Sequence, residues 1–365
     1  MKLNLIIQHL ENYAPLNYQE DYDNSGLIVG NGDEEITGAI VSLDCTEAVV
    51  DEAIRLGYNL IISHHPIVFK GLKKFNNKSY VSRVVIKAIQ NNIALYAIHT
   101  NLDHVQNGVN SMICRKIGLE NTRILAPKQN LLRKFVTYAP TVEAEGIRNA
   151  LFNVGAGEIS NYSECSFSTQ GIGTFNGNEN TNPTIGNPGF RTSVEEEKIE
   201  LIYKVQDERK IISTLFETHS YEEVAYEIYP LKNSLQNVGS GMIGELAYPV
   251  ETHNFLEILK ETMNCTVIRH TKPIKKMTYR IAVCGGAGGF LLNDAIKAGA
   301  DVFITADYKY HEFFDADGKI MIADIGHFET EQFTIDLLIE IINEKFRNFA
   351  VRKTEHITNP INYFI

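Results

Sequence analysis

Three short apolar runs in this chain stop in the same way. Leu60-Ile61-Ile62 runs into Ser63-His64-His65-Pro66, Ile93–Ile98 into His99-Thr100-Asn101-Leu102-Asp103-His104, and Ile320–Ile325 into Gly326-His327-Phe328-Glu329-Thr330-Glu331. Short apolar runs bounded by polar turns read as buried strands, and here they alternate with stretches of helical periodicity. That alternation implies parallel strands joined by helical crossovers, which leaves few architectures open. In open α/β sheets the carboxyl ends of the strands form the ligand-binding edge. Three strands therefore deliver imidazole and carboxylate to one edge.

The grammar extends along most of the chain. Strands are predicted at Ala39–Leu43, Asn59–Ile62 and Ile93–Ile98, with helices at Glu47–Leu56, Val81–Asn91 and Gly108–Ile117 between and after them. It resumes with strands at Arg280–Cys284, Val302–Thr305 and Ile320–Ile325 and helices at Phe290–Ala298, Lys309–Phe314 and Glu329–Phe346. The stretch between reads differently. A strand at Lys134–Tyr138, a helix at Val142–Phe152, a strand at Lys198–Val205, a helix at Asp207–Phe216 and a strand at Val224–Tyr229 suggest a ferredoxin-like module. The polar stretch Thr169–Pro188 reads as loops or a hairpin. Leu231–Pro249 reads as a return connection broken by Gly239, Gly241 and Gly244. The expected fold is α/β: a split three-layer core with a mostly parallel sheet, residues 1–124 and 273–365, interrupted by a ferredoxin-like α+β insert, residues 125–272.

The residue types at the strand ends suit metal. Burying an imidazole with an unsatisfied nitrogen costs about 1–3 kcal/mol, so adjacent histidines fill a core poorly. Neutral imidazole ligates divalent transition ions well. His64 and His65 are consecutive, so on extended backbone they point apart, which suits two ions better than one. His327 and Glu331 stand four apart and share a helix face. A single strand-end histidine such as His99 or His104 is more often a hydrogen-bonded polar residue than a ligand; the set of His64, His65, Asp103, His327 and Glu331 is what points to a centre. His99, Asp44, Asp307 and His311 are candidates to orient the ligand rings, with N-capping the simpler role for Asp307. His99 and His311 are also candidates for a general acid or base beside the ions.

Other features exclude or leave open. The 365 residues and 44% hydrophobic content fit a globular protein of two or three domains. A net charge of −11 argues against general nucleic-acid binding but not against a nucleotide. Five scattered cysteines, none in a CxxC pair, read as reduced cytoplasmic thiols. Met1–Glu11 reads as an amphipathic helix rather than a signal peptide, and no stretch is long and apolar enough for a membrane span. Gly285-Gly286-Ala287-Gly288-Gly289 lies where a phosphate loop would be, yet Leu291 breaks GxGxxG and no Walker lysine follows. It is either a tight strand-to-helix turn or a set of amides that cradles a substrate phosphate. No GxSxG or cysteine–histidine pair supports covalent hydrolysis.

Together, Asp23-Asn24-Ser25-Gly26-Leu27, Ser63-His64-His65-Pro66, His99-Thr100-Asn101-Leu102-Asp103, Cys284-Gly285-Gly286, Asp307-Tyr308-Lys309-Tyr310-His311 and Gly326–Glu331 resemble the dinuclear-metal, NIF-three-like family of GTP cyclohydrolase I type 2 homologs. The resemblance implies a centre of two divalent ions (Zn, Mn or Fe) on His64, His65, Asp103, His327 and Glu331, with Glu331 bridging, and a homohexamer with sites facing an interior cavity. Glu217–Tyr226 resembles the signal-transduction-protein-like or divalent-tolerance-like insert of longer members. The implied activity is metal-dependent hydrolysis of a purine ring or a phosphoester. The alternative is a non-enzymatic, metal-binding regulatory or partner-binding assembly in which the insert docks.

Overall fold

The computed structural model describes residues 1–364. The chain divides into two compact units, Met1–Pro127 with Asn237–Ile365, and Lys128–Gln236.

The first unit opens with helix α1 (Leu3–Tyr13), which buries Leu3, Ile6 and Leu10. Strand β1 (Gly26–Val29) is followed by β2 (Ala39–Ser42), helix α2 (Glu47–Leu56), β3 (Leu60–Ser63), helix α3 (Tyr80–Gln90) and β4 (Ala94–Ala97). β2, β3 and β4 are parallel and wholly buried, and β1 runs antiparallel to β4. Both crossover helices are locally specified. Thr46 caps α2 by accepting from the Val49 N–H, Gly57 ends it in the left-handed conformation, and Ser79 forms a capping box with Ser82 on α3. A four-residue helix α4 (Thr100–Asp103) and helix α5 (Val109–Lys116) lead into β5 (Leu119–Lys128).

The second unit contains β6 (Leu132–Pro140), α6 (Ala144–Asn153), β7 (Ser166–Phe175), β8 (Thr192–Lys204), α7 (Glu208–Thr218) and β9 (Tyr226–Leu231). Its sheet order β7-β8-β6-β9, antiparallel throughout, is the ferredoxin-like β-α-β-β-α-β arrangement. Phe135, Ile199, Leu201 and Tyr203 of the sheet and Ile147, Leu151, Ile211 and Leu215 of the helices fill its core.

The chain returns to the first unit on β10 (Leu235–Glu251), then α8 (Thr252–Thr262), β11 (Arg269–His270), β12 (Met277–Val283), α9 (Leu292–Lys297), β13 (Val302–Thr305), β14 (Met321–Asp324), α10 (His327–Glu331), α11 (Thr334–Lys345) and β15 (Val351–Lys353). The mixed α/β class is as expected, but the core holds two sheets rather than one. They are β1-β4-β3-β2-β15 and β11-β14-β13-β12-β10-β5. β12, β13 and β14 are parallel, and β15 comes back to pair in parallel with β2. α11 packs on β2 and β15, α5 packs on β12, and the two helices pack on each other, so they link the sheets.

Three local expectations differ. Residues 237–272, expected in the insert, belong to the first unit. The stretch expected as a return connection is the 17-residue strand β10, which pairs with β12. Its glycines allow close backbone approach: a Cβ at Gly239 would stand 2.1 Å from the Ala126 carbonyl oxygen. The expected helix at Lys309–Phe314 is a short 3-10 turn at Glu312–Ala316, and the expected helix Glu329–Phe346 is two helices, α10 and α11.

Asp301 ties β12 to β13. Its Oδ2 accepts from the backbone N–H of Tyr279 and Arg280, both at 2.9 Å, and its Oδ1 lies 2.5 Å from Lys275 Nζ. Burial alone would raise this carboxyl, but the lysine and the two N–H groups outweigh it and hold it below its ordinary value. Stability from a depressed carboxyl is present above its unfolded value and lost as pH falls through the folded one. Asp301→Asn is expected to cost about 1–2 kcal/mol near neutrality, a figure reduced for the exposed lysine. The melting difference from wild type should close below about pH 4; a difference unchanged in acid would contradict this role.

Candidate metal centre

The β2–β3 ladder continues past Ser63. The His64 N–H donates to Ser42 O at 3.2 Å and the His65 N–H to Leu43 O at 2.9 Å, so the backbone of both histidines is held beside β2 while it bends away from β3. Their rings lie together, centroids 5.0 Å apart and tilted by 47°, rather than pointing apart as extended backbone would place them. His64 is fully buried and its Nδ1 meets Ile98 O at 2.8 Å. His65 turns its Nδ1 to Asp44 Oδ1, also at 2.8 Å. His327, at the start of α10, places Nδ1 2.7 Å from Asp307 Oδ2. His99, just before α4, places Nδ1 2.8 Å from Asp23 Oδ1. Four imidazoles are thus each oriented through Nδ1 by an oxygen, which leaves every Nε2 for something else. Metal-ligating histidines are held in this way.

The free atoms converge. Glu331, one turn beyond His327 on α10, puts Oε2 3.0 Å from His65 Nε2 and 3.1 Å from His327 Nε2, and those two nitrogens are 3.3 Å apart. Two nitrogens each ~2.0–2.1 Å from a tetrahedral ion stand about 3.3 Å apart, so this triangle matches one face of a coordination shell. On the other side, His64 Nε2 lies 3.6 Å from Asp103 Oδ1 and 3.9 Å from Glu331 Oε2. A ring nitrogen of His99 joins those of His64 and His65 within 4.8 Å. His64 Nε2 and Asp103 Oδ1 are both buried without a hydrogen-bond partner. Two orphaned atoms of ligand type beside a buried carboxylate, each costing about 1–3 kcal/mol if left so, fit a divalent ion and fit a packed core badly.

The electrostatics agree. Burial, then the charge of Glu331, pushes the Asp103 carboxyl well up. Burial would also raise Glu331, but the His327 and His65 rings beside it outweigh that and hold it well below the carboxylate range. Burial opposes charge on His65 and His327 too, yet their carboxylate neighbours prevail and raise them to about 9 and about 11. Burial dominates at His64, which falls to about 3. The carboxylates at this site therefore demand positive charge. A divalent cation supplies it while leaving the imidazoles neutral, as ligands must be.

The glycine loop after β12 closes the floor. Gly286 has φ +62°, and a Cβ there would lie 2.4 Å from Glu331 Oε1. Its N–H donates to Thr330 Oγ1, and its carbonyl accepts from Thr305 Oγ1, both at 3.0 Å. The loop is a close-approach turn against α10. Asp307, which meets the His327 ring, holds a left-handed backbone, φ +61°, without being glycine.

The structure brings His64, His65, His99, Asp103, His327 and Glu331 together and leaves His311 out. His311 is exposed and packs on Tyr310 and Phe314. It was expected to share a helix face with Asp307, but the left-handed turn at Asp307 removes that helix. His104 is buried with its Nδ1 on Tyr18 O and its Nε2 near Glu20 and Ser240, a structural role. Asp44 and Asp307 orient rings as expected. The partner missed from sequence is Asp23, which also accepts from the Thr100 N–H and hydroxyl. Nothing periodic links it to His99, 76 residues away. Thr358, whose hydroxyl donates to Asp44 Oδ2 at 2.8 Å, was missed for the same reason. Asp307→Ala is expected to weaken metal binding about 10–100-fold without unfolding the chain. Unchanged affinity in a chelator competition would remove its orienting role.

The chain is similar to known proteins along nearly its whole length. The family model described as Duf34/NIF3 (NGG1p interacting factor 3) matches residues 1–360. A protein of Halalkalibacterium halodurans named GTP cyclohydrolase 1 type 2 homolog is 37% identical over 325 residues, covering 88% of this chain and 87% of its own length. One of the same name from Bacillus subtilis is 34% identical over 363 residues, 98% of this chain and 97% of its own. A solved Bacillus cereus protein related to NIF3 superposes with TM-score 0.84 at 35% identity, covering 100% of this chain and 99% of its own.

Proposed function

This chain belongs to the Duf34/NIF3 family, and on that premise we propose that it is a metal-dependent hydrolase. Two divalent ions (zinc, manganese or iron) would be held by His64, His65, Asp103, His327 and Glu331. The observation that carries this reading is the pair of orphaned buried atoms, His64 Nε2 and Asp103 Oδ1, beside the Glu331 carboxylate that His65 and His327 share. When bound, such ions supply Lewis acidity and bring the ionisation of water towards neutrality.

The chain's own residues do the rest. Asp44, Asp307 and Asp23 fix the rings of His65, His327 and His99. His99, oriented by Asp23 through Nδ1, keeps its other ring nitrogen beside the cluster, where an imidazole is placed to pass a proton. The relatives' name points to hydrolytic opening of a purine ring; the same donor set would serve a phosphoester. No helix among the described residues is long and apolar enough to cross a membrane. A cytoplasmic homohexamer goes with this reading, and light scattering tests it as six times the 41.1 kDa chain mass.

The test is turnover by metal-loaded protein, reading formate release from GTP and alcohol release from phosphomonoesters. The expected result is a metal-dependent reaction in wild type that is absent in Asp103→Asn. A fully loaded protein inactive on both substrate classes would overturn the hydrolase reading in favour of a non-enzymatic metal-binding protein.

A further inference from the structure

The chain's overall negative charge hides a local reversal beside the metal centre. Between β3 and α3, the segment Phe69–Lys78 carries Lys70, Lys73, Lys74 and Lys78 and no acidic residue. All four lysines are exposed. Nearby surface cations are paired with carboxylates, Lys87 with Asp51, Arg83 with Glu47 and Arg55 with Glu355. Among the described residues none of these four makes an ion pair. Four unpaired cations within nine residues, on a chain of net charge −11, repel one another and gain nothing from the fold.

The segment borders a cavity of about 770 Å³ whose wall includes His65 and Asp44 on one side and Lys70 on the other. The first residues of two helices also line it, Thr46 before α2 and Ser79 and Tyr80 at the start of α3. The first N–H groups of a helix lack intrahelical partners and carry the positive end of its dipole. Thr46 and Ser79 each satisfy one of them, and the Tyr80 and Val81 N–H groups belong to the same unpartnered turn. Lysine and helix N-termini together make an anion site. Phe69, which also lines the cavity, packs against Tyr22 and against His99 of the cluster.

The geometry points to a phosphate-binding wall: Lys70, Lys73, Lys74 and Lys78, with the N-terminal turn of α3, hold the phosphates of a small phosphorylated substrate whose reacting part lies against the His65 cluster. This rests on the hydrolase reading for the identity of the site, but it concerns the substrate and not the metal. A cavity of this volume suits a nucleotide-sized ligand. A long polyanion would meet the negative field of the rest of the chain beyond the loop.

The experiment is calorimetric titration of the full-length protein, as purified, with inorganic pyrophosphate, with GTP and with a single-stranded oligonucleotide. Wild type is compared with a variant in which Lys70, Lys73, Lys74 and Lys78 are all changed to Ala, and with Lys70→Gln alone. A control changes Lys2, Lys210, Lys232 and Lys297 to Ala, matching the net charge. Metal content is measured on every sample. The inference expects pyrophosphate and GTP binding weakened about tenfold or more in the loop variant, partly weakened in Lys70→Gln and kept in the control, with metal content the same throughout. Equal binding by loop variant and control overturns it, as does wild type that binds neither pyrophosphate nor GTP. An oligonucleotide that binds through the loop more tightly than GTP also overturns it, in favour of a nucleic-acid end. Loop-dependent phosphate binding by protein that holds no metal sustains the inference and removes the hydrolase reading. Metal-replete protein with loop-independent binding does the reverse.

Discussion

Replacing Glu331 with Gln is expected to give a folded chain that no longer holds metal. The substitution keeps the shape and removes the charge at the point where the site converges. Oε2 is 3.0 Å from His65 Nε2, 3.1 Å from His327 Nε2 and 3.9 Å from His64 Nε2, so one oxygen serves three of the imidazoles. Even supporting groups around metal ligands cost 10–100-fold in affinity when removed. Loss of the shared carboxylate should therefore exceed about 100-fold, read by competition with a chromophoric chelator. The fold should survive, because α10 is anchored independently by Thr330, whose hydroxyl accepts from the Gly286 N–H and donates to His327 O. Wild-type affinity in Glu331→Gln would mean that the triangle of His65, His327 and Glu331 is an ion-pair network and not a ligand set.

The second large effect is expected at Gly286. Here Ala meets two penalties at once. The left-handed backbone, φ +62°, costs an L-residue ~1–2 kcal/mol. The new Cβ would also stand 2.4 Å from Glu331 Oε1 and 3.2 Å from His327 Cε1. The loop cannot swing away cheaply, because the Gly286 carbonyl accepts from the Ala306 N–H at 2.9 Å and from Thr305 Oγ1, while its N–H is held by Thr330. Gly286→Ala should lose about 2–4 kcal/mol of stability and displace two of the ligands. Gly289, three residues on, is the matched control: its Cβ would make only ordinary contact with Tyr308 at 3.6 Å. Denaturant melts and metal content of both variants check this together. Equal behaviour of the two would show that the loop yields, and that Gly286 is not needed for close approach to α10.

The site was more legible than the fold around it, for a physical reason. The candidate ligands sit at strand ends or one helical turn from another candidate, and both relations are local in sequence. His64-His65 and His327…Glu331 show them directly, and Asp103 follows His99 by one turn. The orienting carboxylates Asp44 and Asp307 were readable because each lies just after its strand. Asp23 was not, because its partnership with His99 is made only by the tertiary fold. The alternation of strand and helix revealed parallel strands but not which strands share a sheet. β15 returns to β2 through three residues, Val351–Lys353, too short to read as a strand. The glycines of β10 look like loop punctuation until Ala126 and Leu291 are seen against them, where any side chain would collide. The same limit governs His311: its spacing from Asp307 suggests a shared helix face, and one left-handed residue abolishes it. The lysine loop was overlooked for the opposite reason. Its charge is local, and a sum over the whole chain erased it.

Elemental analysis of the purified, full-length protein tests the central claim most directly. The expected result is about two equivalents of a divalent transition metal per chain, removed by chelation and restored on reloading. Folded protein that holds no metal after reloading at neutral pH would contradict it.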